Sequence, residues 1–65
     1  MDIILNGKTV SIDEQSRLND FINSLEINGK FAVELNQAII PRSEYHKTTI
    51  SPGDNIEIVE AIGGG

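Results

Sequence analysis

The chain has 65 residues, ten acidic and five basic side chains for a formal net charge of −5, and no cysteine. A chain this short holds one domain with a marginal core, and without cysteine it has no disulfide framework, thiolate zinc site or cysteine nucleophile. So few Lys and Arg residues cannot supply the phosphate contacts that nucleic-acid binding requires, and no apolar run approaches membrane-spanning length.

The single histidine, His46, cannot build a metal site by itself and reads as a surface residue. No signal-like segment opens the sequence, so the cytosol is the expected compartment. The acidity reads as solubility or as complementarity to a basic partner surface. Composition alone does not choose between these two.

In chain order, Met1, Ile3 and Leu5 alternate with Asp2, Ile4 and Asn6, the period of a strand. Asn6-Gly7 is a strong hairpin signal, because both turn positions need positive φ. Val10 and Ile12 then alternate with Thr9 and Ser11 in a return strand. After the polar break Asp13 to Gln15, Ser16 is a candidate N-cap. Leu18, Phe21, Ile22 and Leu25 follow at helical spacing, and this stripe reads as core. Asn28-Gly29 can end the helix in left-handed geometry.

Phe31, Val33 and Leu35 give a third strand, and Asn36-Gln37 a tight turn into a short fourth, Ala38-Ile39-Ile40. Pro41 ends that strand or lies on an edge. The polar stretch Arg42 to Lys47 suits one turn of 3₁₀ helix around Ser43-Glu44-Tyr45, with Tyr45 a half-buried lid on the core. Ser51-Pro52-Gly53-Asp54 is a type II turn signal. It launches a last strand, Asn55 to Ile62. That strand runs into Gly63-Gly64-Gly65.

Three glycines bury nothing and lose the most entropy on ordering. They add no stability, yet they make a tail thin enough for a slot that no side chain could enter. The α-carboxylate of Gly65 is the one functional group at its tip. A leftover linker would look the same, so the tail alone leaves both readings open.

Hairpin, helix and three further strands make an α+β domain over residues 1–62, with 63–65 as a flexible tail. The last strand can lie centrally beside the first and parallel to it. That arrangement is the β-grasp, or ubiquitin-like, fold: a mixed sheet of about five strands packed on one helix.

The segment Ala32-Val33-Glu34-Leu35-Asn36 through Pro41-Arg42-Ser43-Glu44-Tyr45 resembles the middle of the ThiS sulfur carriers of thiamin biosynthesis. Ser51-Pro52-Gly53-Asp54-Asn55-Ile56-Glu57-Ile58-Val59 and Ala61-Ile62-Gly63-Gly64-Gly65 are similar to that family's ending, and Asn6-Gly7 to its first turn. Tyr45 stands where many relatives have Trp, and Ser51-Pro52 replaces a more polar pair. Family members end natively in this glycine run, which favours a functional tail.

The resemblance implies a chemistry. An E1-like partner of the ThiF type adenylates the Gly65 carboxylate with ATP. Sulfur from a cysteine desulfurase and persulfide relay then displaces AMP, leaving a thiocarboxylate. Thiazole synthase, of the ThiG type, accepts that sulfur for the thiazole ring. An acyl-adenylate hydrolyses readily and needs an enclosed site, hence the thin tail, with Gly63 and Gly64 threading. Magnesium, ATP and the catalytic side chains belong to the partner; this chain binds no cofactor and is not itself an enzyme. The compartment would be the cytoplasm, or the plastid stroma in a photosynthetic eukaryote.

Strand parity suggests the docking surface. Ile56 and Ile58 should face the helix, and Glu57, Val59 and Ala61 should face away. Ile3 and Leu5 face in, leaving Ile4 out. Ile4, Val59 and Ile40 would then form an apolar patch leading along Ala61 and Ile62 to the tail. Three other readings stand beside this one: a molybdopterin synthase small subunit, for which the chain is short, or another β-grasp sulfur carrier; a ubiquitin-like modifier joined to lysine through Gly65; and an interaction module with incidental glycines.

Overall fold

The computed structural model describes residues 1–60. Strands β1 (Asp2–Leu5) and β2 (Lys8–Ser11) form the opening hairpin, with Asp2 opposite Ser11 and Leu5 opposite Lys8. Its two turn residues both take positive φ, 48° at Asn6 and 82° at Gly7. This turn twists in the same sense as the strands it joins.

Helix α1 (Leu18–Ser24) buries Leu18, Phe21 and Ile22, and Leu25 packs at the margin of the core. Ser16 does not cap it. The N-cap residue is Arg17, without a side-chain cap, while the Ser16 hydroxyl donates to the Asp13 carbonyl at 2.6 Å. The helix start is fixed by a distant segment instead. Leu18 N–H donates to the Thr48 carbonyl and Ile50 N–H to the Ser16 carbonyl, each at 2.8 Å. Arg17 Nη1 adds a bond to the His46 carbonyl at 3.0 Å.

The helix also stops earlier than Asn28-Gly29 would suggest. Its C-cap is Leu25, and Glu26 takes the left-handed conformation (φ 54°) that glycine usually fills at this place. Gly29, at φ 81°, redirects the chain a few residues later.

Strands β3 (Phe31–Leu35) and β4 (Ala38–Ile40) flank a turn with φ 50° at Asn36 and 73° at Gln37. The 3₁₀ helix extends over Arg42–Lys47 and carries Tyr45 into the core at 7% exposure. Tyr45 is thus core rather than a half-buried lid. His46 is exposed.

The Ser51–Asp54 turn has Gly53 at φ 81° and closes with Asp54 N–H on the Ser51 carbonyl at 3.1 Å. The Asp54 carboxylate accepts from Ser51 N–H at 2.7 Å and from Asn36 Nδ2 at 3.0 Å. Asn36 Oδ1 in turn accepts from Asn55 N–H at 2.9 Å. The β3–β4 turn therefore braces the start of β5 (Asn55–Glu60). The expected continuation of that strand to Ile62, and the domain boundary between 62 and 63, lie outside the described residues.

The sheet order is β2-β1-β5-β3-β4, with β1 and β5 parallel and every other pair antiparallel. The last strand thus occupies the centre, between the two hairpins. Ile3, Val33 and Ile56 project from the sheet onto Leu18, Phe21, Ile22, Tyr45 and Ile50, and no polar or charged side chain is buried among the described residues. Five mixed strands on one helix, arranged in this order, are the β-grasp fold.

Candidate functional site

The geometry of the site follows from which face each side chain takes. Residues directly opposite each other in a sheet share a face. Ile3, Ile56 and Val33 point to the helix, so Ile4, Glu57, Val59, Ala32 and Glu34 point to the open face. Ile4 is 38% exposed and Val59 54%. They stand on neighbouring strands two outward levels apart, with Glu57 between them, since Ile4 is opposite Asn55 and Val59 lies four residues further along β5, opposite Ala32.

Ile40 does not join them. The two-residue turn at Asn36-Gln37 fixes Leu35 opposite Ala38, Glu34 opposite Ile39 and Val33 opposite Ile40. Val33 is fully buried, so Ile40 turns to the core face and packs against the cluster. Ile39 takes the outer place at 72% exposure. Counting back from the turn would have found Ile39 in the sequence, because a hairpin register follows from loop length.

The open face is not purely apolar. Glu34 and Glu57 stand directly opposite each other on β3 and β5, and Asp2 lies on β1 of the same face. Like charges in that relation repel. Among the described residues neither glutamate makes a salt bridge; the ion pairs present are Met1 with Glu14 and Lys47 with Glu44. The face thus combines Ile4, Ile39, Val59 and Ala32 with unpaired negative charge, as a surface for a basic, partly apolar partner would.

Of the other sequence-derived site residues, Ala61, Ile62, Gly63, Gly64 and Gly65 lie outside the described residues. The end of β5 fixes where they begin: Glu60 is opposite Phe31, at the rim of the sheet. Asn6, not singled out in the sequence beyond its turn, also contributes here. Its Oδ1 accepts from Ile58 N–H at 2.8 Å, joining the first turn to the last strand.

An open cleft of about 360 Å³ lies between α1 and the 3₁₀ helix, lined by Asn19, Ile22, Asn23 and Glu26 with Phe31, Arg42 and Tyr45. Its two charged groups are the Arg42 guanidinium and the Glu26 carboxylate. No group of three metal-ligating side chains occurs among the described residues, and none of their helices is long and apolar enough to cross a membrane.

Comparison with known proteins extends this picture through the end of the chain. The crystal structure of the thiamine biosynthesis protein ThiS from Geobacter metallireducens superposes with a TM-score of 0.85 at 29% identity, covering all of both chains. The sulfur carrier protein ThiS of Bacillus subtilis is 36% identical over 63 residues, 94% of this chain and 96% of the relative. A thiazole synthase of Paramagnetospirillum magneticum is 33% identical over 66 aligned positions, which take in all of this chain but only 20% of that protein. The ThiS family model itself matches residues 3–65, glycine run included. With that match over a β-grasp domain, the chain belongs to the ThiS family.

Proposed function

We propose that this chain is a sulfur carrier of thiamin biosynthesis, acting through the carboxylate of Gly65. The observation that carries the reading is that the family match runs to residue 65 and so takes in the glycine run. A free carboxylate is a poor acyl donor, since its leaving group would be oxide. An E1-like enzyme of the ThiF type therefore joins the Gly65 carboxylate to the α-phosphate of ATP, with Mg²⁺, and pyrophosphate leaves. Persulfide sulfur, supplied by a cysteine desulfurase relay, attacks the acyl carbon. AMP departs to leave an acyl disulfide, and a second thiol of the sulfur relay attacks the persulfide donor's cysteine sulfur, forming a disulfide with it and releasing the thiocarboxylate.

The chain's own part is that of co-substrate, with catalysis on the partner. Gly63 and Gly64 let the tip pass into the enclosed site where the adenylate is shielded from water. The open sheet face, with Ile4, Val59 and the outward Ile39 around Glu34 and Glu57, docks the activating enzyme, and Ala61 and Ile62 continue that contact toward the tail. A thiazole synthase of the ThiG type receives the sulfur. The match of the whole chain to one-fifth of a thiazole synthase supports that pairing. The compartment is the cytoplasm, or the plastid stroma in a photosynthetic eukaryote.

Intact-mass measurement tests the reading. Incubation with the E1-like enzyme, ATP, Mg²⁺ and a persulfide donor should give a mass gain equal to exchange of one oxygen for sulfur. A chain extended by one alanine after Gly65 should gain nothing while keeping its fold. Normal sulfur loading of the extended chain would refute the role of Gly65.

A further inference from the structure

Strand β5 is bonded unequally along its two edges. Its odd-numbered residues turn their backbone toward β3. Asn55 bonds Asn36 through both its N–H and its carbonyl, and Glu57 and Val59 stand opposite Glu34 and Ala32. Even-numbered residues turn theirs toward β1, where the Asp54 and Ile56 carbonyls accept from Ile4 N–H and Asn6 N–H at 2.9 Å each.

The β1 ladder ends there, with Leu5 opposite Ile56, because Asn6 and Gly7 turn the chain away into β2. Strand β5 runs on to Glu60. At the next rung the Asn6 side chain replaces a neighbouring strand by accepting the Ile58 N–H at 2.8 Å. Past that point the Ile58 carbonyl and the Glu60 N–H have no hydrogen-bond partner among the described residues. Proteins usually block such an edge with lysine, proline, a bulge or a covering loop. Ile58-Val59-Glu60 carries no lysine or proline.

We propose that the β1-side edge of Ile58–Glu60 is a strand-addition site, filled by an extended main-chain segment of the thiazole synthase that takes the sulfur. This rests on the carrier reading above. The incoming segment supplies an N–H to the Ile58 carbonyl and a carbonyl to the Glu60 N–H, as in other cases where a peptide joins a sheet edge. Its side chains alternate in character. An apolar residue lies beside half-buried Ile58 and a basic residue beside Glu60, in keeping with a chain of net charge −5. The synthase is the occupant because a thiazole synthase carries a region matching this whole chain within its own sequence. Strand pairing advances in fixed steps, so adding a strand at Glu60 also sets how deeply the tail tip reaches.

Total synthesis of the 65-residue chain with an ester in place of the Glu60 amide tests the proposal. The change deletes one N–H and keeps every side chain. That N–H has no partner among the described residues, and the ester weakens only the Val59 carbonyl toward β3, so the melting temperature should fall less than with an ester at Val59. Affinity for a thiazole synthase of the ThiG type should fall roughly 3- to 10-fold, the worth of one net hydrogen bond. An ester at Val59, which faces β3, serves as control and should lower the melting temperature. In the parent, saturating synthase should slow exchange of the Glu60 amide about tenfold or more. Parental affinity of the Glu60 ester, or a Glu60 amide that exchanges as fast in the complex as alone, would overturn strand addition. Protection seen only with the adenylating enzyme would overturn it as well. Sulfur loading is read separately by intact mass, so a parent chain that loads sulfur normally would keep the carrier reading intact while strand addition fell.

Discussion

The in-register pair Glu34 and Glu57 predicts that the domain gains stability when its open face is altered. Glu57 is exposed and Glu34 half-buried, and they occupy directly opposed positions on β3 and β5. Cross-strand charge pairs contribute roughly 0.2–1 kcal/mol in either direction. Glu34→Lys removes a repulsion and creates an attraction, and its alkyl stem can lie over exposed Ile39, the neighbour on β4. Discounted for solvent screening, the change should add about 0.5–1 kcal/mol. In a domain of this size that raises the melting temperature by about 2–8 °C. Glu34→Gln removes only the repulsion and should fall between parent and Lys. Melts followed by circular dichroism at low ionic strength should give that order. In about 1 M NaCl, where the screening length is about 3 Å, the three should converge. The same Lys variant should bind the activating enzyme more weakly. A Lys variant that melts with the parent at low salt, or keeps its full gain at high salt, would refute the electrostatic reasoning.

Two further substitutions test the core and the face. Phe21 is 8% exposed, so Phe21→Ala should destabilise by about 3–5 kcal/mol, comparable to the roughly 3–10 kcal/mol total of a domain this small. Urea titration should find it largely unfolded, and a near-parental midpoint would show that Phe21 is not core. Val59→Asp, at a 54% exposed position, should stay folded by circular dichroism yet lose binding to the activating enzyme in a pull-down, since an unpaired charge desolvated there costs several kcal/mol. A folded variant that binds at parental affinity would remove Val59 from the docking face.

What was legible in the sequence was local. Asn6-Gly7 and Pro52-Gly53 announce their turns through the φ that those residues tolerate, and the periods of two and 3.6 pick out the strands and the inner stripe of α1. What went astray depended on contacts far apart in sequence. Ser16 has the chemistry of an N-cap, but the Thr48 carbonyl holds the helix start and the serine is left to bond Asp13. The helix ends at Glu26 because the chain must turn there toward β3, and a glutamate bears left-handed geometry that propensity would assign to Asn28-Gly29. The exchange of Ile40 for Ile39 was an error of register, with the correcting information present in the turn. Asn6 offered no signal for its second role, since Ile58 is far along the chain. The tail residues were read by family resemblance, because glycines carry no side-chain pattern to interpret.

The position of β5 also bears on the order in which the molecule is made. Of the domain's five strands, the last to be synthesised separates two hairpins that otherwise do not pair: β1–β2 on one side and β3–β4 on the other. Until Asn55–Glu60 emerge, a nascent chain has two ribbons, each marginal alone, and no sheet to close over α1. Folding therefore waits for the segment that adjoins the tail, and every long-range pairing of the centre forms after it. A chain broken off before Ile56 lacks the bridge, stays open and is exposed to proteolysis. Molecules that survive as folded domains are thereby those in which synthesis has reached the base of the glycine run.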